Sequence, residues 1–391
     1  MKSIEKWFKN NRKILKFTLI AFVVWQIVLA VVILLGVRYF PTTNAYLYTE
    51  KGIPLNPIWL WNRANFDGMH YLDIAKKGYS LYQQAFFPFY PKLITFLTPW
   101  FNGRNLVAGW FISLLSSLVS LFFFYKLIRL DFKDNIARRA ILYLLFFPTA
   151  FFFSMVYTES LFFLFIIGSF YFARTKRWWI AGIFGALASA TRLPGIFLFV
   201  ALLVEWWQQQ KSIKGKWQPK NLAKSLLPIL LVPAGLLFYM RFLSVCYGDC
   251  LMFAHVQTFF GAGRSADRII LLYQVFWRYF KMLVTVDRQT LVYFVVIMEF
   301  LSTVSFLFFI VSAYLRQWYS YFVFMALAFI APTLTGTFSS LPRYVLVLFP
   351  GFILLALWGE KYRWLRILYP FLTIPLLIFC LLLFTRGYWV A

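Results

Sequence analysis

The chain has 391 residues, of which 62% are hydrophobic, 23% aromatic and only 13% charged, with a formal net charge of +26. No water-soluble domain of this size carries that balance, and repeated apolar runs near twenty residues read as membrane helices, not as the short alternating strands of a membrane barrel. The positive charge does not point to nucleic acid, because Lys and Arg sit in short segments between apolar runs, where they act as orientation signals and lipid-phosphate contacts.

In chain order, Lys2, Lys6, Lys9, Arg12, Lys13 and Lys16 precede a long apolar run at 18–37 with no small-residue cleavage pattern, so this segment is expected to stay as a first span. Further runs at 105–125, 140–157, 159–173, 179–191, 193–207, 225–245, 290–313, 320–337, 344–358 and 367–384 bring the expected count to eleven. The fold class predicted is all-α: a polytopic transmembrane helical bundle forming a single integral membrane domain over residues 1–391. Pro148, Pro194, Pro228 and Pro233 are tolerated in it where neighbouring helices satisfy the freed backbone groups.

Most of the 39 Lys and Arg cluster near the N-terminus and at 126–139, 174–177, 211–224, 316 and 361–366. With the N-terminus inside, these segments are cytoplasmic, and the long loops at about 38–104 and 246–289 face outside. Glu50, Asp67, Asp73, Glu159, Asp249, Asp267 and Asp287 then fall on the outer side, whereas Asp131 and Asp134 balance a basic inner loop. The inner loops are too short for a nucleotide-sugar-binding domain, and no G-x-x-x-x-G-K-[ST] or G-x-G-x-x-G loop occurs. Chemistry is therefore expected at the outer face with a donor already in the membrane, a sugar on a polyprenyl or dolichyl phosphate. Such chemistry needs an apolar groove, cations for phosphate and a carboxylate near the acceptor hydroxyl. The absence of an N-x-[ST] sequon suits a prokaryotic plasma membrane.

The stretch N-F-D-G-M-H-Y-L-D-I-A-K-K-G-Y at 65–79 is the least membrane-like part of the first long loop. Met69 to Lys77 fits a short amphipathic juxtamembrane helix. Asp67 is the expected general base, with Gly68 allowing a close turn, and His70 either orients it or binds sugar hydroxyls. Asp73 is placed for an i,i+4 pair with Lys77. In F-F-P-F-Y-P-K at 86–92 the prolines suggest re-entrant backbone, and Lys92 either meets a lipid phosphate or snorkels to the interface. Glu159 in Y-T-E-S and Arg192 in A-T-R-L-P-G lie at apolar junctions, where they serve substrate or pair with each other. Arg343 in L-P-R-Y is the preferred phosphate ligand, since a guanidinium matches phosphate geometry. Glu299 sits inside a span and should face the bundle interior, without an assigned role. In the second long loop Asp249, His255 and Gln257 have the chemistry to bind sugar hydroxyls, ahead of Arg264, Arg268 and Arg278.

Taken in order, F-D-G-M-H-Y-L-D-I-A-K-K-G-Y, F-F-P-F-Y-P, Y-T-E-S-L-F-F-L, S-A-T-R-L-P-G, G-D-C-L-M-F-A-H-V-Q and R-Y-V-L-V-L-F-P resemble the PIG-V family, GPI mannosyltransferase II and its prokaryotic relatives, in the GT-C superfamily. The family often has Trp in place of Phe66 and Pro in place of Cys250. The resemblance implies a GT-C transmembrane fold with a catalytic Asp in the first outer loop, matching Asp67. It implies a polyprenyl-phosphate sugar donor, typically mannose, a lipid or glycan acceptor, and inversion by single displacement. Glu159, Arg192 and Arg343 fall on family motifs.

Two other readings fit a chain of this span count: a transporter or lipid flippase, and a glycan polymerase or ligase using lipid-diphosphate donors. No clear internal repeat favours the first. Three cysteines make no disulfide framework or zinc site, although Cys246 and Cys250 are close enough in sequence to bridge, and two histidines without H-E-x-x-H spacing are weak grounds for a metal. No cofactor and no metal ligand set is expected, and the sequence leaves a divalent cation open.

Overall fold

The computed structural model describes residues 2–43, 57–212, 225–265 and 268–391, with side chains from Lys9 onward. Glu50, Asp267, Lys214, Lys216, Lys220 and Lys224, all used in the orientation argument, lie outside the described residues. The described residues are helical and contain no strand. The long elements are α1 (Lys2–Tyr39), α2 (Asp67–Lys77), α3 (Phe89–Leu97), α4 (Asn105–Ile128), α5 (Asp134–Leu145), α6 (Glu159–Arg174) and α7 (Trp178–Thr191). They continue with α8 (Leu198–Ser212), α9 (Ala234–Tyr247), α10 (Leu272–Thr285), α11 (Leu291–Leu315), α12 (Tyr319–Thr333), α13 (Pro350–Lys361) and α14 (Arg363–Thr385).

The helix α1 illustrates why this bundle belongs in a bilayer. Trp25, Leu29 and Ile33 are buried on one side, where α1 packs against α4 and the C-terminal α14, while Leu19, Val23, Ile27 and Val31 on the other are exposed. A soluble protein does not present so long an apolar stripe to water; hydrocarbon accepts it at no cost.

Among the described residues, five helical segments are long and apolar enough to cross a membrane: Lys9–Tyr39, Asn105–Ile128, Leu227–Tyr247, Leu291–Leu315 and Arg363–Thr385. A pair bent by 80°, Leu341–Val347 with Pro350–Lys361, brings the number to six. The expected eleven spans are thus not all seen. The run at 140–157 is the clearest departure. Helix α5 stops at Leu145, because Pro148 disfavours helical backbone before it, and a 3₁₀ turn at Ala150–Ser154 follows. Phe151, Phe152 and Phe153 are fully enclosed by protein. That run is apolar because it is core, and its irregular backbone is tolerated at depth because no lipid touches it. Helix α6 has 16 residues, about 24 Å, short of a hydrocarbon core of about 30 Å.

The two ends of the bundle are chemically distinct. At one end Arg139 pairs with Glu360 at 2.5 Å, and Arg174 forks onto Asp131 and approaches Glu205 at 3.6 Å, which in turn accepts from Ser320. These are the segments expected to share the inner side. The expected outer residues Asp67, Glu159, Arg192 and Arg343 gather at the other end. Cys246, Cys250 and Cys380 are free thiols.

Helix α7 meets α9 and the 3₁₀ turn Leu227–Leu231 before it closely because glycine leaves room. A Cβ on Gly182 would lie 2.1 Å from the Pro228 carbonyl oxygen, and one on Gly235 would lie 2.2 Å from that of Ala186. Small residues are what let membrane helices approach this far. Gly235→Ala is expected to destabilise the bundle by about 1–3 kcal/mol through overpacking. The check is the thermal midpoint of purified protein in detergent; an unchanged midpoint would mean that the helices are not so close.

Candidate active site

The site begins with a strained turn. Phe66 has φ 57 and ψ −116, a backbone region that a bulky side chain rarely adopts. Its surroundings over-determine it. The Phe66 ring packs on Phe384 and Trp389, Asn65 donates through Nδ2 to the Phe384 carbonyl at 2.8 Å, and Tyr157 donates its hydroxyl to the Asn65 carbonyl at 2.6 Å. Helix α2 starts directly after this turn, so its first residue, Asp67, is aimed inward. Gly68 follows because its backbone lies against the 156 segment: a Cβ there would stand 3.2 Å from the Val156 carbonyl oxygen.

Three other segments deliver the partners of Asp67. Glu159 is the first residue of α6, where a carboxylate is favoured by the helix dipole. Arg192 occupies the extended break between α7 and the 3₁₀ turn Leu193–Phe197. Arg343 lies in the short turn Leu341–Tyr344, anchored by Thr149 donating to the Pro342 carbonyl at 2.6 Å.

The four side chains form one line. Arg343 Nη1 donates to Asp67 Oδ2 at 2.6 Å, and its Nε lies 3.4 Å from Glu159 Oε1. Arg192 Nη1 donates to the same Glu159 oxygen at 2.6 Å. Glu159 is 1% exposed and Arg343 4%, so these charges are out of water and depend on one another. Aromatic faces complete the housing: Arg343 lies over Phe152, Tyr157 and Tyr344 at 5.3–5.4 Å, and Arg192 over Tyr344 at 5.1 Å. Burial alone would push the Asp67 carboxyl up. The Arg343 guanidinium outweighs it through charge and hydrogen bond, helped by His70 and Arg264, and holds the group below the usual carboxylate range. Burial also pushes the Tyr71 hydroxyl up, so it stays protonated beside Thr158.

Asp67 opens onto a cavity of about 510 Å³. Its polar wall includes Arg192, Gln257, Arg264, Arg268 and Arg343; its apolar wall includes Phe86, Phe162, Phe260, Ile269 and Val347. Arg192 and Arg343 are occupied by carboxylates. Arg264 reaches only Gln257, at 3.5 Å, and neither it nor Arg268 has a carboxylate partner among the described residues. The cavity thus joins one carboxylate, two cations without a carboxylate partner among the described residues, and a greasy wall, a combination suited to an amphiphilic anion.

The other expected site residues divide. His70, one turn from Asp67, stacks on Phe86 at 4.8 Å and meets Gln83 through Nδ1 at 3.5 Å, outside the cavity lining. Gln257 lines the cavity. Asp249 and His255 pair with each other at 2.7 Å on the exposed rim, where the His255 hydrogen bond holds Asp249 below its ordinary range, and neither lines the cavity. Lys92 is exposed on α3 and also stands apart from it. Arg343 lines the cavity while pairing with Asp67 and Glu159, whereas Arg264 and Arg268, neither assigned from the sequence, have no carboxylate partner among the described residues. The signal for Arg264 was local: G-A-G-R places it directly after a glycine turn in a long loop. Among the described residues no group of three or more His, Cys, Asp or Glu could hold a metal ion.

The family model for mannosyltransferase (PIG-V) matches residues 12–209. No curated protein matches the chain. Among solved structures it is similar to the Archaeoglobus fulgidus oligosaccharyltransferase tethered with an acceptor peptide containing the NVT sequon, at 14% identity and TM-score 0.43, covering 98% of this chain and 56% of that one. It is also similar to the Archaeoglobus fulgidus oligosaccharyltransferase AglB in complex with an inhibitory peptide and a dolichol-phosphate, at 14% identity and TM-score 0.40 over the same shares. The complex of the Archaeoglobus fulgidus enzyme with Zn and sulfate aligns at 12% identity and TM-score 0.40, covering 84% of this chain and 49% of that one. The chain therefore spans about half the length of these structures.

Removing the shared carboxylate should expose what it holds. Glu159→Gln leaves Arg192, and one side of Arg343, without their buried counter-charge, and is expected to cost about 3–5 kcal/mol. Thermal unfolding in detergent checks this; a loss below about 1 kcal/mol would show that water reaches the arginines.

Proposed function

Because the chain belongs to the mannosyltransferase (PIG-V) family, we propose that it moves a single sugar, mannose in the reading the family favours, from a polyprenyl (dolichyl) phosphate carrier to a lipid or glycan acceptor. In this reading the cavity opens at the outer, periplasmic or lumenal, membrane face, as the distribution of basic loops suggests. The observation that carries the proposal is the meeting, in one partly apolar cavity, of the Asp67 carboxylate with Arg264, which has no carboxylate partner among the described residues.

The chemistry follows from those two groups. Asp67 accepts the proton of the acceptor hydroxyl as its oxygen attacks the anomeric carbon. The bond from that carbon to the phosphate oxygen breaks, and the carrier leaves as a polyprenyl phosphate with one negative charge more than the donor had. Arg264, with Arg268 at the rim, is placed for that growing charge; preformed cations in a water-poor site favour the transition state over the ground state. Arg343 keeps Asp67 ionised and oriented. One base and one displacement give inversion. Phe86, Phe260 and Ile269 offer the donor's first isoprene units an apolar surface. No cofactor takes part in this scheme.

The test uses purified protein in nanodiscs with radiolabelled polyprenyl-phosphate-mannose and a panel of lipid and glycan acceptors. Asp67→Asn is expected to lower kcat by about 10²–10⁴-fold in folded protein; near-normal turnover would remove Asp67 from the mechanism. Transfer only from oligosaccharyl diphosphate lipids would favour the polymerase or ligase reading, and saturable donor binding without transfer to any acceptor would favour a carrier.

Two further outcomes follow from the charges. Arg264→Gln should raise the donor KM roughly tenfold or more, the worth of a lost charge-assisted hydrogen bond. The Asp67 pKa is depressed, so its ionised form persists as pH falls and is lost only when pH drops through that lowered value. The acid limb of kcat/KM should therefore lie below the ordinary carboxylate range of about 4. A limb at pH 5 or above would contradict it.

A further inference from the structure

Glu299 has no part in the transfer just described. It lies in the third turn of α11 and is 4% exposed, and among the described residues it forms no ion pair. A carboxylate placed there is costly and needs a reason. It accepts from the Ser340 backbone N–H and from Tyr279 of α10, which donates its hydroxyl to Glu299 Oε2. That hydroxyl is a hub. It accepts from the Phe338 backbone N–H at 3.2 Å and stands 3.2 Å from Thr337 Oγ1, which itself accepts from the Ser339 N–H at 3.1 Å. The Phe338 ring packs on the Tyr279 ring at 4.6 Å. One phenol therefore secures Thr337 and Phe338, and through Thr337 also Ser339, just before Ser340, which has φ 65, and the turn that carries Arg343.

The preceding residue of α10 acts in the same region. Arg278 donates to the Gly336 carbonyl at 3.0 Å from one nitrogen and to the Ala262 carbonyl at 3.0 Å from the other. Ala262 lies two residues before Arg264. Adjacent residues of one helix thus grip the two cavity walls, one bearing Arg264 and the other bearing Arg343.

We propose that Glu299, Tyr279 and Arg278 form a positioning bracket that fixes the separation between Arg264 and the Asp67–Arg343 pair, and so the placement of the donor phosphate relative to the base. These residues touch no substrate. Glu299 orients the phenol, the phenol and Arg278 set the 336–339 segment, and that segment sets Arg343. The bracket rests on the mechanism above for its consequence in catalysis, although its geometry does not.

The experiment has one arm without substrate. In full-length protein with Cys246→Ser and Cys250→Ser, Ser339→Cys reports the state of the segment. Adding Tyr279→Phe should raise its labelling rate by a membrane-impermeant maleimide at least tenfold; equal rates overturn the bracket whatever the enzyme transfers. Arg278→Gln gives a second reading of the same rate should Tyr279→Phe fail to fold. In the activity arm, Tyr279→Phe should lower kcat at least tenfold and move the acid limb of kcat/KM upward, as Arg343 loosens from Asp67. Glu299→Gln, whose amide oxygen still accepts the phenol, should stay within about threefold of wild type, whereas Glu299→Leu should behave like Tyr279→Phe. A loss that merely follows the folded fraction, with an unmoved acid limb, would make these residues structural only. Failure of Asp67→Asn to lower kcat would strike the mechanism and leave the labelling result standing.

Discussion

Two guanidinium groups and two carboxylates, aligned as Asp67, Arg343, Glu159 and Arg192, are what the rest of this bundle is arranged to hold. Each alone would be intolerable away from water, but together they are neutral, and each has at least one partner within 3.4 Å. The constraint explains features that otherwise look unrelated: the strained turn at Phe66, the break in helix after Thr191, the start of α6 at Glu159, and the left-handed Ser340 before Arg343. Each is a place where regular helix is given up so that one charged group can face the others.

The arrangement also divides labour among arginines. Those that neutralise carboxylates build the site and cannot easily do anything else, because withdrawing either uncovers a buried charge. Arg264 and Arg268, which have no carboxylate partner among the described residues, line the cavity from a loop and in the proposed function meet the ligand. In the proposed reaction a substrate anion would bind without disturbing the internal ion pairs, and the geometry around Asp67 would be preorganised before it arrives.

Much of this was legible in the sequence. Helical class and membrane residence followed from composition, and Asp67 stood out as a carboxylate in a turn within an otherwise apolar chain. The sequence allowed Glu159 and Arg192 to pair with each other, and they do. The span count was less legible, since hydropathy measures avoidance of water and cannot tell lipid from protein as the refuge; Phe151 to Phe153 look like a membrane segment and are core. The pairing of Arg343 was also hidden. Its residue type suits a phosphate, but only the fold reveals that Asp67, 276 positions away, takes it first. Glu299 was recognisable as costly and inward-facing, whereas its purpose depended on Tyr279, which no local pattern singles out.

That separation of 276 positions has a consequence for how the protein is made. Glu159 and Arg192 are 33 residues apart and can neutralise each other soon after their helices enter the bilayer. Asp67 emerges earlier than either and finds its guanidinium only when the last quarter of the chain is synthesised. Until then the nascent chain carries Asp67 without its guanidinium partner. The pair is therefore closed only near the end of synthesis: a ribosome stalled before Arg343 leaves a chain with most of its helices made and Asp67 without its guanidinium.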